Sequence, residues 1–204
     1  MRRAVIIAIA LAVVVLLGGI VAVASMTRSG LSAHAEPTAM EAFVARTVRR
    51  MAVPSDLRDA KNPVPLTSAM VAEARAHFAD HCAACHGNDG RGRSGMGKQM
   101  YPKTPDMTLA ATQSLSDGEL FAIIENGVRL TGMPGFGSGT AESAYGSWSL
   151  VHFLRRLPKL TAEEIAEMEK LNPKSPEEWR QLQEEEAFLA GGDSSEAPPP
   201  AHHH

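Results

Sequence analysis

The chain has only two cysteines. They stand three positions apart, and a histidine follows the second at once: Cys82-Ala83-Ala84-Cys85-His86. Three ordinary uses of paired cysteines fit this poorly. A structural zinc site needs about two further well-placed ligands, a thioredoxin-like dithiol needs a βαβ setting, and a plain disulfide has no use for His86. Covalent haem attachment uses every residue of the pattern. Two thiols so spaced at the end of a helix can each add to one vinyl group of a porphyrin, and the adjacent His86 is then held under the ring to donate a nitrogen to iron. The spacing therefore predicts one covalently attached haem c on Cys82 and Cys85, with His86 as an axial ligand.

Haem of this kind is attached outside the cytoplasm, and the amino terminus supplies a route there. Ala4 to Ala24 is 21 residues without a charge or strongly polar side chain, preceded by Arg2 and Arg3. About 20 apolar residues cross a bilayer as a helix, whereas the apolar part of a secretory signal is about 7–15 residues long. Length favours a retained anchor. Ala22-Val23-Ala24 and Ala33-His34-Ala35 nevertheless have the form of cleavage sites, so a removed signal is the alternative. Both readings export the remainder. With Arg2 and Arg3 at one end and only Arg28 close beyond the other, the positive-inside bias predicts a single-pass protein of the inner membrane with residue 25 onward on the periplasmic side.

Past a short polar tether, Met40, Phe43, Val44, Val48 and Met51 recur at helical spacing, with Arg46, Arg49 and Arg50 mostly off that stripe. The first expectation is a helix packing its apolar side on the main domain; the second is a helix lying on the membrane surface. Pro54 ends it, and Asp56 to Pro65 reads as an extended connector. The main domain is expected from Thr67. Ser68 to His81 predicts a helix with Val71, Ala74 and Phe78 on one face, leading into Cys82. A Gly- and Pro-rich stretch from Gly87 to Pro105 follows, long enough to need an organiser other than backbone pairing. Ser116 with Glu119 is a capping box opening a helix to about Asn126 with Gly127 as its stop. A further helix over about Ala144 to Leu157 turns Leu150, Phe153 and Leu154 inward. Nothing predicts a strand or a repeat.

After Pro158 the composition becomes acidic, with nine Glu against four Lys+Arg over 159–190. Thr161 with Glu164, and Ser175-Pro176 with Glu178, cap two more helices whose stripes are Ile165, Met168, Leu171 and Trp179, Leu182. Residues 191–204 form a Gly/Ser/Pro tail ending in His202, His203 and His204, which cannot bury enough surface to fold. The formal charge is −3, and aromatic residues make up 5% of the chain. A basic groove with stacking platforms is thereby excluded, and with it a nucleic-acid partner.

Residues 67–158 resemble the class I cytochrome c family. In that family a small residue and an aromatic precede the first cysteine by eight and four positions, where Ala74 and Phe78 stand here. An apolar residue and an aromatic three apart on the last helix cross the first, and Leu150 with Phe153 resembles that pair. Leu130-Thr131-Gly132-Met133-Pro134-Gly135-Phe136 is similar to the loop that supplies a methionine as sixth iron ligand. The resemblance implies Met133 in that role, with Met96, Met100 and Met107 as rivals and His152 as the non-methionine rival. It also implies a proline neighbourhood that accepts the second N–H of His86, either Pro102 or Pro105. His77 and His81, four apart on one helix, are expected to be a solvated pair.

The expected architecture is therefore mostly α: a class I cytochrome c fold around one covalent haem, with an N-terminal transmembrane helix and a C-terminal helical extension. Its parts are anchor and tether (1–30), amphipathic helix and linker (31–66), cytochrome domain (67–158), acidic extension (159–190) and tail (191–204). His86 and Met133 together would fill both axial positions, which favours one-electron transfer with redox protein partners over catalysis. The alternatives are the haem subunit of a periplasmic dehydrogenase or reductase, a haem ligand sensor in which Met133 dissociates, and a metal-handling protein using the histidine tail.

Overall fold

The computed structural model of the protein describes residues 2–29 and 32–189; the histidine tail lies outside them. Every regular element among the described residues is helical. The first, α1 (Arg2–Ser29), continues past the apolar run into the expected tether. Its stretch Arg2–Ser25 is long and apolar enough to cross a membrane, and its most apolar 18-residue window contains no buried residue.

Helix α2 (Ala39–Ala52) opens on a capping box of Thr38 and Glu41. The expectation that its apolar side packs on the main domain is not met: Met40, Phe43, Val44, Val48 and Met51 are all exposed. Amphipathic periodicity detects such a stripe but carries no information about what covers it. The connector is also less extended than expected, since Ser55–Arg58 forms one helical turn, α3. The Leu57 carbonyl of α3 presses on Gly118, where a Cβ would overlap it. Beyond α3, Val64 reaches the core, so the packed domain begins before Thr67.

The domain proper is built on two crossing helices. Thr67 caps α4 (Ser68–His77) by accepting the Met70 N–H at 3.1 Å, and Thr140 caps α8 (Ala141–Arg156), which begins three residues before the expected Ala144. Ala74 and Phe78 meet Leu150 and Phe153 in the core, all nearly inaccessible, with the Phe78 and Phe153 rings 5.1 Å apart. The small residue lets the backbones approach, and the aromatics fill the space on either side. Helix α4 does not run unbroken into the cysteines: Phe78–Cys82 forms a π-helical turn before α5 (Ala83–His86). π-Turns insert one residue into the helical ladder and recur at functional sites.

After a short helix α6 (Ala110–Gln113), helix α7 (Asp117–Asn126) follows the Ser116–Glu119 capping box as predicted and stops at Gly127. It packs on α8, with Leu120 and Ile124 buried and Phe121 stacked on Trp148 at 4.2 Å. Arg155 of α8 fastens the approach to α7. It donates to Asp117 Oδ1 and to the Gln113 and Leu115 carbonyls at 2.6–3.1 Å. In the acidic extension, α9 (Ala162–Leu171) and α10 (Pro176–Leu189) start at their predicted capping boxes. Helix α9 packs on the π-turn and α4 through Met168, which is fully buried, whereas α10 buries nothing and leaves Trp179 exposed.

Candidate haem site

Cys82 and Cys85 are both free, half-buried thiols on successive turns of the helix that begins at α4. Burial, reinforced by the neighbouring Cys85, pushes the Cys82 thiol up to about 12. The Cys85 thiol donates to Met96 Sδ at 3.4 Å. His86, the last residue of α5, sits with its ring 6.5 Å from that of Phe78. Burial pushes it down to about 4, so it is the neutral imidazole near pH 7, the form that binds metals. Its Nδ1 is buried and has no hydrogen-bond partner. Neither the Pro102 nor the Pro105 neighbourhood supplies the acceptor anticipated for it.

The irregular stretch after His86 is fastened to carbonyls of the attachment helix by a backbone donor and a side-chain donor. The Gly92 N–H donates to the His86 carbonyl at 2.7 Å, and Ser94 Oγ donates to the Cys85 carbonyl at 2.8 Å. These carbonyls are left over at the end of α5, where no further turn can use them. Met107 N–H closes the loop on the Gly90 carbonyl at 2.9 Å, and Gln113 Nε2 joins the Met107 and Leu154 carbonyls, tying the loop to α8. Gly97 lies so close to the Cys85 carbonyl that a Cβ there would overlap it.

The Met133 loop is anchored in the same way at the other helix end. Phe136 and Gly137 N–H groups donate to the Ile124 and Glu125 carbonyls, the unused acceptors of α7, each at 3.0 Å. Inside the loop, Val128 N–H donates to the Met133 carbonyl at 3.1 Å. Thr131 Oγ1 both donates to Val128 O and accepts from Met133 N–H. Met133 itself is half-buried. The sequence pattern singled out Met133 but missed Thr131, whose hydroxyl shapes the turn.

The rival methionines separate by position. Met107 is buried in the core, and exposed Met96 stands at Cys85. Met100 lies against Gly132, where a Cβ would come within 2.7 Å of its Sδ, so it touches the Met133 loop directly. His152 points the other way, its Nε2 2.8 Å from the Val64 carbonyl. His77 and His81 contact each other edge-on at 4.8 Å, and no group of three or more potential metal-ion ligands occurs among the described residues.

With this geometry in place, comparison with known families gives a match over residues 69–154 to the family described as cytochrome c oxidase, cbb3-type, subunit III. Residues 69–154 form a class I c-type cytochrome domain. No curated protein matches the chain. A cytochrome domain of this class carries covalently bound haem c, and the residues present fit the group. Two thiols outside any disulfide adjoin a neutral imidazole whose buried ring nitrogen lacks a protein partner. A cavity of about 470 Å³ between α4, α8 and the start of α9 is lined by none of these residues. Its arginines are already engaged, Arg75 with Glu167, Arg155 with Asp117 and Arg156 with Glu164. It belongs to the packing of the extension rather than to the haem site.

Proposed function

We propose that the protein is a membrane-tethered mono-haem electron carrier on the periplasmic side of the inner membrane, with Cys82 and Cys85 holding the porphyrin through thioethers and His86 and Met133 as axial ligands. When bound, the haem supplies an iron that gains or loses one electron. The chain's part is to hold both ligands still. The observation that carries this reading is the fastening of the Met133 loop. Its backbone is tied to the last carbonyls of α7 and braced internally by Thr131. A methionine held in that way favours a permanently six-coordinate iron, with no position left for a substrate. Ligand sensing and catalysis at the iron both need that position open. Neutral His86, beside Phe78, is suited to act as ligand without first losing a proton.

The family description, which names an oxidase subunit, favours a second arrangement of the same chemistry: this cytochrome as a haem subunit of a membrane oxidoreductase. The local charge leaves both open, because residues 67–158 hold eight acidic and eight basic side chains.

Two measurements on the haem-loaded protein test the proposal. Haem should stay with the chain through acid-acetone extraction, and the ferrous protein should bind carbon monoxide only slowly and weakly. Haem that extracts freely refutes the attachment. Immediate carbon monoxide binding refutes the carrier reading in favour of a sensor. Gentle solubilisation from native membranes then separates the two arrangements, a carrier migrating alone and a subunit migrating with its complex.

A further inference from the structure

The apolar face of α2 is the largest feature of the described protein that the electron-transfer reading leaves unused. We propose that α2 lies in the interfacial layer of the bilayer that receives α1, apolar face down, and so fixes the orientation of the cytochrome domain over the membrane. The inference rests on reading α1 as a retained span.

The geometry divides α2 cleanly. At about 100° per residue, Met40, Phe43, Val44, Val48 and Met51 fall within an arc of about 140°. All five are exposed, from 49% for Val44 to 76% for Met51. Ala42 and Arg49 stand on the opposite side and are the half-buried members of the helix. The helix is therefore held to the domain by its polar face. Arg50 Nε lies 3.7 Å from Glu119 Oε1 on α7. At the end of α2, Arg58 Nη2 donates to the Arg50 and Val53 carbonyls at 3.1 Å, and Val53 is buried. A helix docked in this way cannot roll its apolar face inward without breaking these contacts. The face needs an occupant outside the domain.

Chain length selects the occupant. Nine residues separate α1 from α2, which at about 3.5 Å each keeps the start of α2 within roughly 35 Å of the end of α1. The polar layer of the bilayer is thus always within reach. Charge is compatible: Arg46 and Arg50 border the Phe43 edge of the apolar arc, whereas Arg49 stands on the opposite side. A helix with apolar Met, Phe and Val on one side and arginines bordering that face has the composition of an interfacial helix.

The test uses the full-length, haem-loaded protein in nanodiscs of phosphatidylcholine and phosphatidylglycerol, with its two native cysteines taken up by haem. Single variants Phe43→Cys, Val48→Cys, Ala45→Cys and Val14→Cys are reacted with a charged, water-soluble maleimide. Their haem spectra confirm folding. Phe43→Cys and Val48→Cys should react at least about tenfold more slowly than Ala45→Cys, equivalent to about 1.4 kcal/mol, and Val14→Cys should not react. If Val14→Cys is protected while Phe43→Cys and Val48→Cys react as fast as Ala45→Cys, α2 stands in water and the proposal falls, although the anchor remains. If Val14→Cys reacts freely, the span reading fails and takes the proposal with it. Protection that vanishes in discs holding a single copy assigns the face to a second copy of the chain and overturns the membrane assignment.

Discussion

Gly127 ends α7 and begins the Met133 loop, so replacing it tests whether these are one mechanical unit. Its backbone, at φ 65° and ψ −166°, occupies a region open essentially to glycine alone. A Cβ built there stands 2.5 Å from the Pro134 carbonyl carbon, 2.5 Å from the Gly135 nitrogen and 2.6 Å from the Met133 oxygen. All three are backbone atoms, so no side chain can swing aside and the loop itself must move. Backbone strain of this type costs about 1–3 kcal/mol, and a displaced loop also forfeits hydrogen bonds worth about 1 kcal/mol each. Gly127→Ala should therefore destabilise the haem-loaded protein by roughly 2–4 kcal/mol. Gly139→Ala is the matched control: its φ is 78°, but nothing lies within 4 Å of the added Cβ. It should cost only about 1–2 kcal/mol of backbone strain. Guanidinium unfolding followed at the haem absorbance gives the stabilities, and under the proposed Met133 ligation the weak red sulfur-to-iron charge-transfer band of the ferric protein reports the loop. Gly127→Ala should weaken that band and Gly139→Ala should leave it intact. Equal destabilisation by the two variants, with the band unchanged in both, would refute the coupling of α7 to the loop.

Other sites give expectations of the same kind. Met168→Ala should cost about 2–4 kcal/mol, because a fully buried side chain is removed between α9 and the π-turn; a change below about 0.5 kcal/mol would show α9 to be dispensable. Arg155→Lys should cost about 2 kcal/mol, since an ammonium cannot reproduce a fork that joins Asp117 and two carbonyls; an unfolding curve matching the parent's would contradict this. The Thr161 N–H, with lesser help from Arg156, holds the Glu164 carboxyl below its usual range. The folded form thus binds that proton less readily than the unfolded form, so the stabilisation is present above about pH 4.5 and is lost as pH falls below it. Amide protection in α9 should fall on acidification before that in α8, and Glu164→Gln should remove the difference.

Much of this arrangement is written in short-range sequence, where the physics is local. Ser116–Glu119, Thr161–Glu164 and Ser175–Glu178 satisfy orphan helix donors within four residues, and each opens a helix where the pattern predicts. Ala74, Phe78, Leu150 and Phe153 are legible because a helix crossing needs a small residue and large ones at fixed spacing. What escapes the sequence depends on distant partners. The apolar stripe of α2 is visible, but its polar docking on Glu119 is not. Good helix formers from Ser68 to His81 conceal the π-turn at Phe78–Cys82. The Gly-rich loop appears to lack backbone partners only because the Cys85 and His86 carbonyls that fasten it belong to the preceding helix. At the site, Cys82, Cys85 and His86 announce themselves by contiguity. Met133 stands out from its rivals by the loop around it, and the contact of Met100 with Gly132 becomes visible only in three dimensions.

Under the proposed function, Met133 completes a six-coordinate, electron-transferring haem. Thioether sulfur favours ferrous iron, so its loss should lower the reduction potential and open a coordination position. The most direct measurement is the ferric charge-transfer band together with ferrous carbon monoxide binding, taken on Met133→Ala and Met100→Ala. Met133→Ala should lose the band and bind carbon monoxide rapidly, while Met100→Ala should keep the parent's behaviour in both. A band that survives in Met133→Ala and disappears in Met100→Ala would move the ligand to Met100. A parent protein that lacks the band and binds carbon monoxide at once would contradict the claim outright.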